Sequence, residues 1–393
     1  MQCTGVARRL LTAQPSMRIL VLSDVSSHMR GGVPTETRQL LRGLAARGHE
    51  VALAADSALE GVDAAHFPVA LPSGPAWGEA LAGVLRAFKP ECVHVMAMGS
   101  RGVGAIAPVL RGRRWALTIH SVPPHERKLA LAHGNEALHY GLRSLRFLAN
   151  STAWKWMLRR SGIPRVVVHS RFVQQVVERY GYPGEATLIA LGFEPGTPAT
   201  LAQRALRPMG SSPRFVVVGG LAHTKGQHDA VEAMARLKGS FPGLALQLIG
   251  ELRDASYTAH LQALIERHGL QGQVAITPHL DEPAKQRALH AADFYLQPSH
   301  EEGFCLAYAE AAAVVPRLVG TDAGAIAAMS ADDPGARVVA PRSPQAIACA
   351  VRELAAASLP ADLLHRRSAR MTARFSWGAY LDAHERLYDG LRG

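Results

Sequence analysis

The sequence predicts an α/β protein built from two doubly wound parallel sheets with helices on both faces. Short runs of β-branched residues alternate with stretches of helical period along the chain, and parallel strands need helical crossovers between them. This alternation restarts after a stretch rich in Pro, Gly, Ala and Thr at 192–212. A length of 393 residues also exceeds what one hydrophobic core usually organises. We therefore expect two domains that face each other across a cleft.

The predicted strands are short, continuous apolar runs, as expected for strands buried on both faces. In the first half they cover 18–24, 50–56, 92–97, 115–120, 165–170 and 186–191, and in the second half 214–219, 244–250, 273–277, 294–299, 316–322 and 337–340. The predicted units are an N-terminal arm over 1–16, domains over 17–200 and 201–374, and a C-terminal helix over 375–393 that packs back toward the first domain. Ligand-binding loops at the carboxyl ends of the strands place the active site in the cleft.

Bulk composition narrows the class of protein. The net charge of +11 favours an anionic partner such as a nucleic acid, an acidic membrane surface or a phosphorylated substrate. No apolar run approaches the roughly 20 residues that cross a bilayer, and 1–16 lacks the apolar core of a secretory signal. We expect a cytoplasmic protein, free or peripheral at the inner face of the plasma membrane.

Metal ions and cofactors are not expected from the sequence. The four cysteines include no C-x-x-C pair, which argues against a zinc site and a disulfide framework. The chain also has no D-x-D pair and no dense His/Asp cluster with metal-ligand spacing.

Two glycine-containing turns are candidate phosphate sites. Gly31 and Gly32 open a helix after the first strand, and Gly219 ends the first strand of the second half, followed by Lys225 and Gly226. Glycines let backbone amides approach an anion, and a helix start presents unpaired N–H groups to phosphate. A plain turn and a solvated lysine remain the alternatives for these two segments.

A third motif combines two carboxylates with a helix start. Glu302 lies in a loop, Gly303, Phe304, Cys305 and Leu306 are expected to begin a helix, and Glu310 follows in an alanine-rich run. Carboxylates eight residues apart on one helix would be separated by about 12 Å, a spacing that suits a sugar hydroxyl at one end and a ribose at the other. The alternative is a capped helix with one exposed glutamate.

In this order along the chain, the motifs resemble those of the family 4 glycosyltransferases of the GT-B fold, of the group 1 type, from Met17 to the C-terminus. The segments that carry the resemblance are the Gly31-Gly32 loop, 47–51, 118–120, 168–172, 189–194, 219–226, Glu302-Gly303-Phe304 with Glu310, and 375–377.

The resemblance implies a role for each matching residue. Glu302 would contact the donor sugar, Glu310 the nucleotide ribose, and Lys225 the departing diphosphate, with His120 beside the sugar. The catalytic residues would then be His120, Glu302 and Lys225. The donor-binding residues would be Gly31, Gly32, Gly219, Lys225, Gly226, Glu302, Gly303, Phe304, Cys305, Leu306 and Glu310. A buried structural histidine is the alternative for His120.

The resemblance also implies transfer with retention at the anomeric carbon and no bound metal. The family usually carries arginine where Gly220 stands, and Pro278 replaces a glycine expected near the base. The base and the sugar of the donor are therefore left open.

A basic, aromatic stretch over 140–160 is the candidate acceptor side or membrane side. It contains Arg143, Arg146, Trp154, Lys155, Arg159 and Arg160. Such a composition suits a lipid headgroup surface or a lipid-linked glycan, whereas a solvated helix that packs its aromatic residues inward is the alternative. Nucleic acid is not expected as a partner, because no recognised binding module accompanies the charge.

The function predicted from these features is transfer of a sugar from a nucleoside-diphosphate sugar to a glycan, lipid-linked or small-molecule acceptor, as in cell-surface polysaccharide or glycolipid synthesis. Two alternatives remain: a GT-B-fold sugar-nucleotide epimerase, and an inactive scaffold that binds nucleotide or membrane.

Overall fold

The computed structural model describes residues 16–23, 32–69, 76–96, 98, 100–122, 141–193, 210–252, 255–278 and 280–392, without the side chains of 76–77, 101 and 141–150. Nearly all of the predicted N-terminal arm, most of the predicted linker, and Gly31 lie outside these residues. Within them, the predicted α/β class with two parallel sheets is confirmed.

The first sheet contains seven strands in the order β3-β2-β1-β4-β5-β6-β7, and all neighbouring pairs are parallel. They are β1 (Arg18–Ser23), β2 (Glu50–Ala55), β3 (Ala65–Pro68), β4 (Cys92–Met96), β5 (Trp115–Thr118), β6 (Arg165–Val168) and β7 (Thr187–Leu188). The order reverses between β1 and β4, so a ligand-binding crevice opens at their carboxyl ends. The sequence did not predict β3, a half-buried edge strand that ends in Pro68.

The second sheet repeats the same winding with six parallel strands in the order β10-β9-β8-β11-β12-β13. These are β8 (Arg214–Val218), β9 (Ala245–Ile249), β10 (Val274–Thr277), β11 (Phe294–Gln297), β12 (Arg317–Thr321) and β13 (Ala336–Val339). The order reverses between β8 and β11, which carry the loops of Gly219 and Glu302. Both predicted donor loops therefore leave the sheet at one point.

The described helices connect the strands and cover the sheets. They are α1 (Gly32–Ala46), α2 (Ala76–Phe88), α3 (Ser100–Ile106), α4 (Gly141–Arg160), α5 (Arg171–Arg179), α6 (Gln227–Leu237), α7 (Ala255–Arg267), α8 (Glu282–Ala291), α9 (Leu306–Val314), α10 (Ile326–Ser330), α11 (Pro344–Ala356), α12 (Leu363–Arg374) and α13 (Trp377–Gly390). Among the described helices, none combines the length and the apolar character that a bilayer crossing requires.

The last two helices return the chain from the second sheet to the first. Helix α12 packs on α9, whereas α13 packs on α1. The hydroxyl of Tyr388 in α13 lies 2.7 Å from Nδ1 of His94 in β4. Gly192 permits the close approach at the start of α13, since a Cβ there would lie 2.6 Å from backbone atoms of Trp377. One buried apolar cluster accordingly includes residues of both sheets.

Candidate active site

A cavity of about 530 Å³ lies in the cleft at the carboxyl ends of the two sheets. Its lining contains nine of the predicted site residues: Gly32, His120, Gly219, Lys225, Glu302, Gly303, Phe304, Cys305 and Leu306. His169, Thr224 and Gln297, for which no site role was predicted, line it as well. The topology thus brings together residues that are dispersed along the chain.

The carboxylate of Glu302 is held on both oxygens. Lys225 donates from Nζ to Oε2 at 2.8 Å, and Ser299 donates from its hydroxyl to Oε1 at 2.7 Å. The side-chain amide of Gln297 adds a longer contact of 3.3 Å to Oε1. The positive φ of Gly324 (61°) brings its backbone close to Glu302, where a Cβ would lie 2.7 Å from the Cβ of Glu302. These contacts preorganise the carboxylate within the cavity wall.

Gly226 positions Lys225 rather than lining the cavity. It has a φ of 65° between the 3-10 turn His223–Lys225 and α6. An added Cβ would overlap the carbonyl of Pro298, the residue after β11 has ended. The backbone N–H of His300 donates to the Thr224 carbonyl at 2.8 Å and joins the same two segments. The predicted donor role of Gly226 is therefore indirect in this structure.

Helix α9 begins at Leu306, three residues later than the sequence predicts. Cys305 precedes it in a left-handed conformation, with a φ of 82°. Glu302 and Glu310 therefore do not share one continuous helix, and the separation of about 12 Å inferred from helical rise does not apply. The first backbone N–H groups of α9, at Leu306 and Ala307, have no partner within the helix, and both residues line the cavity.

Glu310 lies outside the cavity lining and is paired within the protein. Its Oε2 accepts from Lys285 Nζ of α8 at 2.8 Å. Burial alone would lower the pKa of Lys285, but the carboxylates of Glu310 and Glu282 raise it above its ordinary value. The alanine-rich sequence around Glu310 gave no sign of this partner, because Lys285 comes from the preceding helix.

His120 is held by a buried carboxylate, that of Glu36, which was not among the predicted site residues. Its Nε2 donates to Glu36 Oε2 at 2.5 Å, while Tyr380 donates its hydroxyl to Glu36 Oε1 at 2.7 Å. His169 Nε2 lies 3.1 Å from the same Oε1, and its Nδ1 donates to the Ile189 carbonyl at 2.8 Å. Glu36 therefore joins His120 and His169 to helix α13.

The charges of this group are mutually stabilised. Burial alone would raise the pKa of Glu36, but His169 and His120 hold it well below its ordinary value. Burial likewise acts to lower the pKa of His169, yet Glu36 raises it above 6.5. The buried Glu36 carboxylate thus favours the protonated form of His169 and fixes the His120 ring at the cavity wall.

A signal for Glu36 was present in the sequence. In a helix, residues three and four apart share a face, and Glu36 shares its face with Leu40 and Leu44, both fully buried. A carboxylate on the apolar face of a helix that opens at the cleft indicates a buried polar role. The contact of Tyr380 with Glu36 joins residues 344 positions apart and had no such signal.

The basic stretch over 140–160 is only partly consistent with a ligand-facing surface. Trp154 is 3% exposed and packs in the core of the first domain with Met157 and Leu158. The prediction that Trp154 faces an acceptor or a membrane is wrong, because its ring is buried in the core of the first domain. Lys155, Arg159 and Arg160 are exposed, and the side chains of Arg143 and Arg146 lie outside the described residues.

Two groups of described side chains could hold a metal ion, although the sequence spacing indicated none. One consists of Glu36, His120 and His169, and the other of His223, His228 and His300. In each group the potential ligand atoms lie within 4.8 Å of one another. The members of each group come from separate elements, so only the fold brings them together.

Two family models match the chain, and together they cover most of it. Residues 30–196 match Glycosyltransferase Family 4, and residues 201–370 match Glycosyl transferases group 1. The chain belongs to the group 1 glycosyltransferases. The predicted family is thereby confirmed.

A curated relative agrees with this assignment. Glycogen synthase of Mycobacterium tuberculosis is 29% identical over 238 residues, which are 59% of this chain and 55% of that protein. The chain therefore matches little more than half the length of this relative.

Solved structures confirm the GT-B fold. Sucrose-phosphate synthase from Thermosynechococcus elongatus superposes with a TM-score of 0.72 at 20% identity, over 96% of this chain and 99% of that one. Alr3699/HepE from Anabaena, in complex with UDP and glucose, gives a TM-score of 0.72 at 16% identity, over 95% of this chain and 100% of that one.

Proposed function

We propose that this protein is a retaining glycosyltransferase that moves a sugar from a nucleoside-diphosphate sugar to a glycan, lipid-linked or small-molecule acceptor. The observation that carries the proposal is the pair of fixed groups lining one cleft cavity. Glu302, held by Lys225 and Ser299, belongs to the second domain, and His120, held by Glu36, belongs to the first. Membership of the group 1 family supports transfer chemistry at this cavity.

The donor diphosphate is proposed to lie between Lys225 and the start of α9. Lys225 supplies a positive charge, and the N–H groups of Leu306 and Ala307 supply donors at the positive end of a helix dipole. Gly219 lines the cavity, and a Cβ added there would meet no protein atom within 4 Å. That open space suits the close approach of a ligand to the backbone.

The sugar is proposed to lie between Glu302 and His120. Glu302 accepts hydrogen bonds from sugar hydroxyls on the second-domain side, and His120 contacts the sugar from the first domain. Catalysis then depends on positioning and on stabilising the charge of the departing diphosphate. The acceptor hydroxyl attacks from the face that the diphosphate leaves, and its proton passes to the leaving phosphate oxygen.

A uridine nucleotide is the first donor to test. The Anabaena protein of the same fold was solved with UDP and glucose. For Glu310 we propose contact with the ribose, with Lys285 holding the carboxylate in place. Glu310→Ala is then expected to weaken binding of UDP without weakening binding of inorganic diphosphate. Equal affinities of the wild type and Glu310→Ala for UDP would contradict the ribose contact and would show that the ion pair of Glu310 with Lys285 only stabilises the fold.

For the acceptor we propose a glycan or lipid-linked molecule in polysaccharide or glycolipid synthesis, reached at the cytoplasmic face of a membrane. The support is the exposed basic end of α4, formed by Lys155, Arg159 and Arg160. Basic side chains near an anionic surface each contribute about 1 kcal/mol of attraction.

The proposal is tested by thermal unfolding of the full chain with a panel of nucleoside diphosphates and their sugars. A ligand at 100 times its Kd stabilises the folded state by about 2.7 kcal/mol, so the correct base should produce a clear rise in Tm. The rise in Tm should disappear in the double variant that carries both Lys225→Ala and Gly219→Val. No stabilisation by any member of the panel would contradict the proposal.

A further inference from the structure

A cluster of three histidines lies beside the turn that carries Lys225. His223 belongs to the 3-10 turn, His228 to the first turn of α6, and His300 to the loop after β11. Their ring centroids are separated by 4.7 Å (His223 to His228), 5.1 Å (His228 to His300) and 5.7 Å (His223 to His300). One potential ligand atom of each lies within 4.8 Å of those of the other two.

Asp229 determines which nitrogen of His300 carries the proton. His300 Nε2 lies 2.7 Å from Asp229 Oδ2, and both side chains are buried. Because a carboxylate accepts only, Nε2–H donates and a neutral ring keeps its lone pair on Nδ1. A histidine that donates one ring N–H to a carboxylate and offers the other nitrogen is the usual arrangement around a bound metal.

Tyr257 has the same effect on His228. The tyrosine hydroxyl donates to Gln227 Oε1 at 3.1 Å and lies 2.9 Å from His228 Nδ1. With the hydroxyl proton directed to Gln227, Nδ1–H of His228 donates to the tyrosine oxygen, and Nε2 keeps the lone pair.

We propose that His223, His228 and His300 form a binding site for one divalent transition metal ion of the Zn²⁺ class. Three imidazoles are a ligand set for Zn²⁺, Co²⁺, Ni²⁺ or Cu²⁺ rather than for Mg²⁺ or Ca²⁺, which prefer oxygen. Zinc binds imidazole nitrogen at about 2.0–2.1 Å, and ligand atoms within 4.8 Å of one another can surround one such ion. Three protein ligands leave one position for water.

The ion would join the two segments that support the Lys225–Glu302 pair. His223 precedes Lys225 by two residues, and His300 precedes Glu302 by two residues. Two contacts already join these segments in the structure. One is the backbone hydrogen bond from His300 to Thr224, and the other is the close approach of Gly226 to Pro298. A metal bond on each side would add a rigid link between the two loops. Metal binding is independent of the proposed transfer activity and is measured without any sugar donor.

The test uses the full chain without an affinity tag, treated with a chelator and titrated with Co²⁺ and then Zn²⁺. We expect one equivalent of Co²⁺ to produce visible d–d absorption and Zn²⁺ to displace it. His223→Ala, which removes a half-buried ring from a turn, should weaken Co²⁺ binding more than 100-fold. Asp229→Asn, which replaces the carboxylate beside His300 and His228 with a neutral amide, should weaken it about 10–100-fold.

His365→Ala is the matched control, because His365 is an exposed histidine on α12, an element that contributes none of the three ligands. It should bind Co²⁺ as the wild type does, and the unfolding midpoint of every variant without metal shows that each still folds. Absence of the Co²⁺ absorption in the wild type would overturn the proposal. Equal binding by folded His223→Ala and wild type would overturn it too.

Discussion

The backbones of Gly303 and His120 are in contact across the cleft. A Cβ added to Gly303 would overlap the carbonyl oxygen of His120, so only glycine allows this approach. The contact joins the loop after β11 in the second sheet to the end of β5 in the first. It therefore determines how closely Glu302 and His120 face each other.

Gly303→Ala is expected to force the two domains apart at this contact. A backbone carbonyl cannot move away as a flexible side chain can, so the free energy of unfolding should fall by about 1–3 kcal/mol, and nucleotide-sugar affinity should fall with it. Chemical denaturation and ligand titration measure the two effects. Gly83→Ala is the control, because its Cβ on α2 would meet no atom within 4 Å and should stabilise the helix by about 0.5–1 kcal/mol. An unchanged stability and affinity in Gly303→Ala would show that the domains do not close in this way.

Gly219→Ala should separate ligand binding from folding. Its Cβ would enter open cavity space without meeting protein atoms, so the free energy of unfolding should change by less than about 0.5 kcal/mol. If a diphosphate occupies that space, its affinity should fall about tenfold, equivalent to about 1.4 kcal/mol. Calorimetric titration with the best nucleotide from the thermal panel measures the change. Undiminished affinity would place the diphosphate elsewhere.

The pair formed by Glu36 and His169 predicts a pH-dependent stability. The lowered pKa of Glu36 stabilises the fold above the unfolded carboxyl pKa of about 4.5, and this contribution is lost as the pH falls through the folded pKa. The raised pKa of His169 stabilises the fold below the unfolded pKa of about 6.5, and this contribution is lost as the pH rises through the folded pKa. Both contributions are complete only between these two pH values.

Glu36→Gln should remove that dependence. Without the carboxylate a protonated His169 is buried unpaired, so the variant should lose about 3–5 kcal/mol of stability near pH 6. The loss should be smaller near pH 8, where His169 is closer to neutral. Urea unfolding at both pH values measures it. Glu353→Gln, which breaks an exposed pair with Arg337, should cost at most about 1 kcal/mol. Equal losses at the two pH values would contradict the assigned charge of His169.

Much of the fold was predictable because buried parallel strands are continuous apolar runs. The runs at 18–24 and 214–219, for example, correspond to β1 and β8, which are interior strands of the two sheets. The edge strand β3 (Ala65–Pro68) was not predicted, because it is only partly buried and lacks the apolar pattern of the others. Edge position alone does not explain the omission, since the edge strands β7, β10 and β13 correspond to the predicted runs at 186–191, 273–277 and 337–340.

The site was predictable where a residue lies in the loop that follows a strand. His120, Gly219 and Glu302 are all in loops at the carboxyl ends of strands and reach the cavity. Contacts between distant elements were not predictable. The hydrogen bond of Tyr380 to Glu36 and the pairing of Lys285 with Glu310 depend on how helices pack, which local patterns do not encode.

The most direct test of the central claim is the rate at which nucleoside diphosphate is released from a panel of nucleotide sugars. The wild type should release it from at least one donor, with a candidate acceptor or with water as acceptor. Lys225→Ala and Glu302→Ala should each lower that rate more than 100-fold while the chain remains folded. Release that continues undiminished in both variants would contradict the assignment of the cleft as the site of transfer.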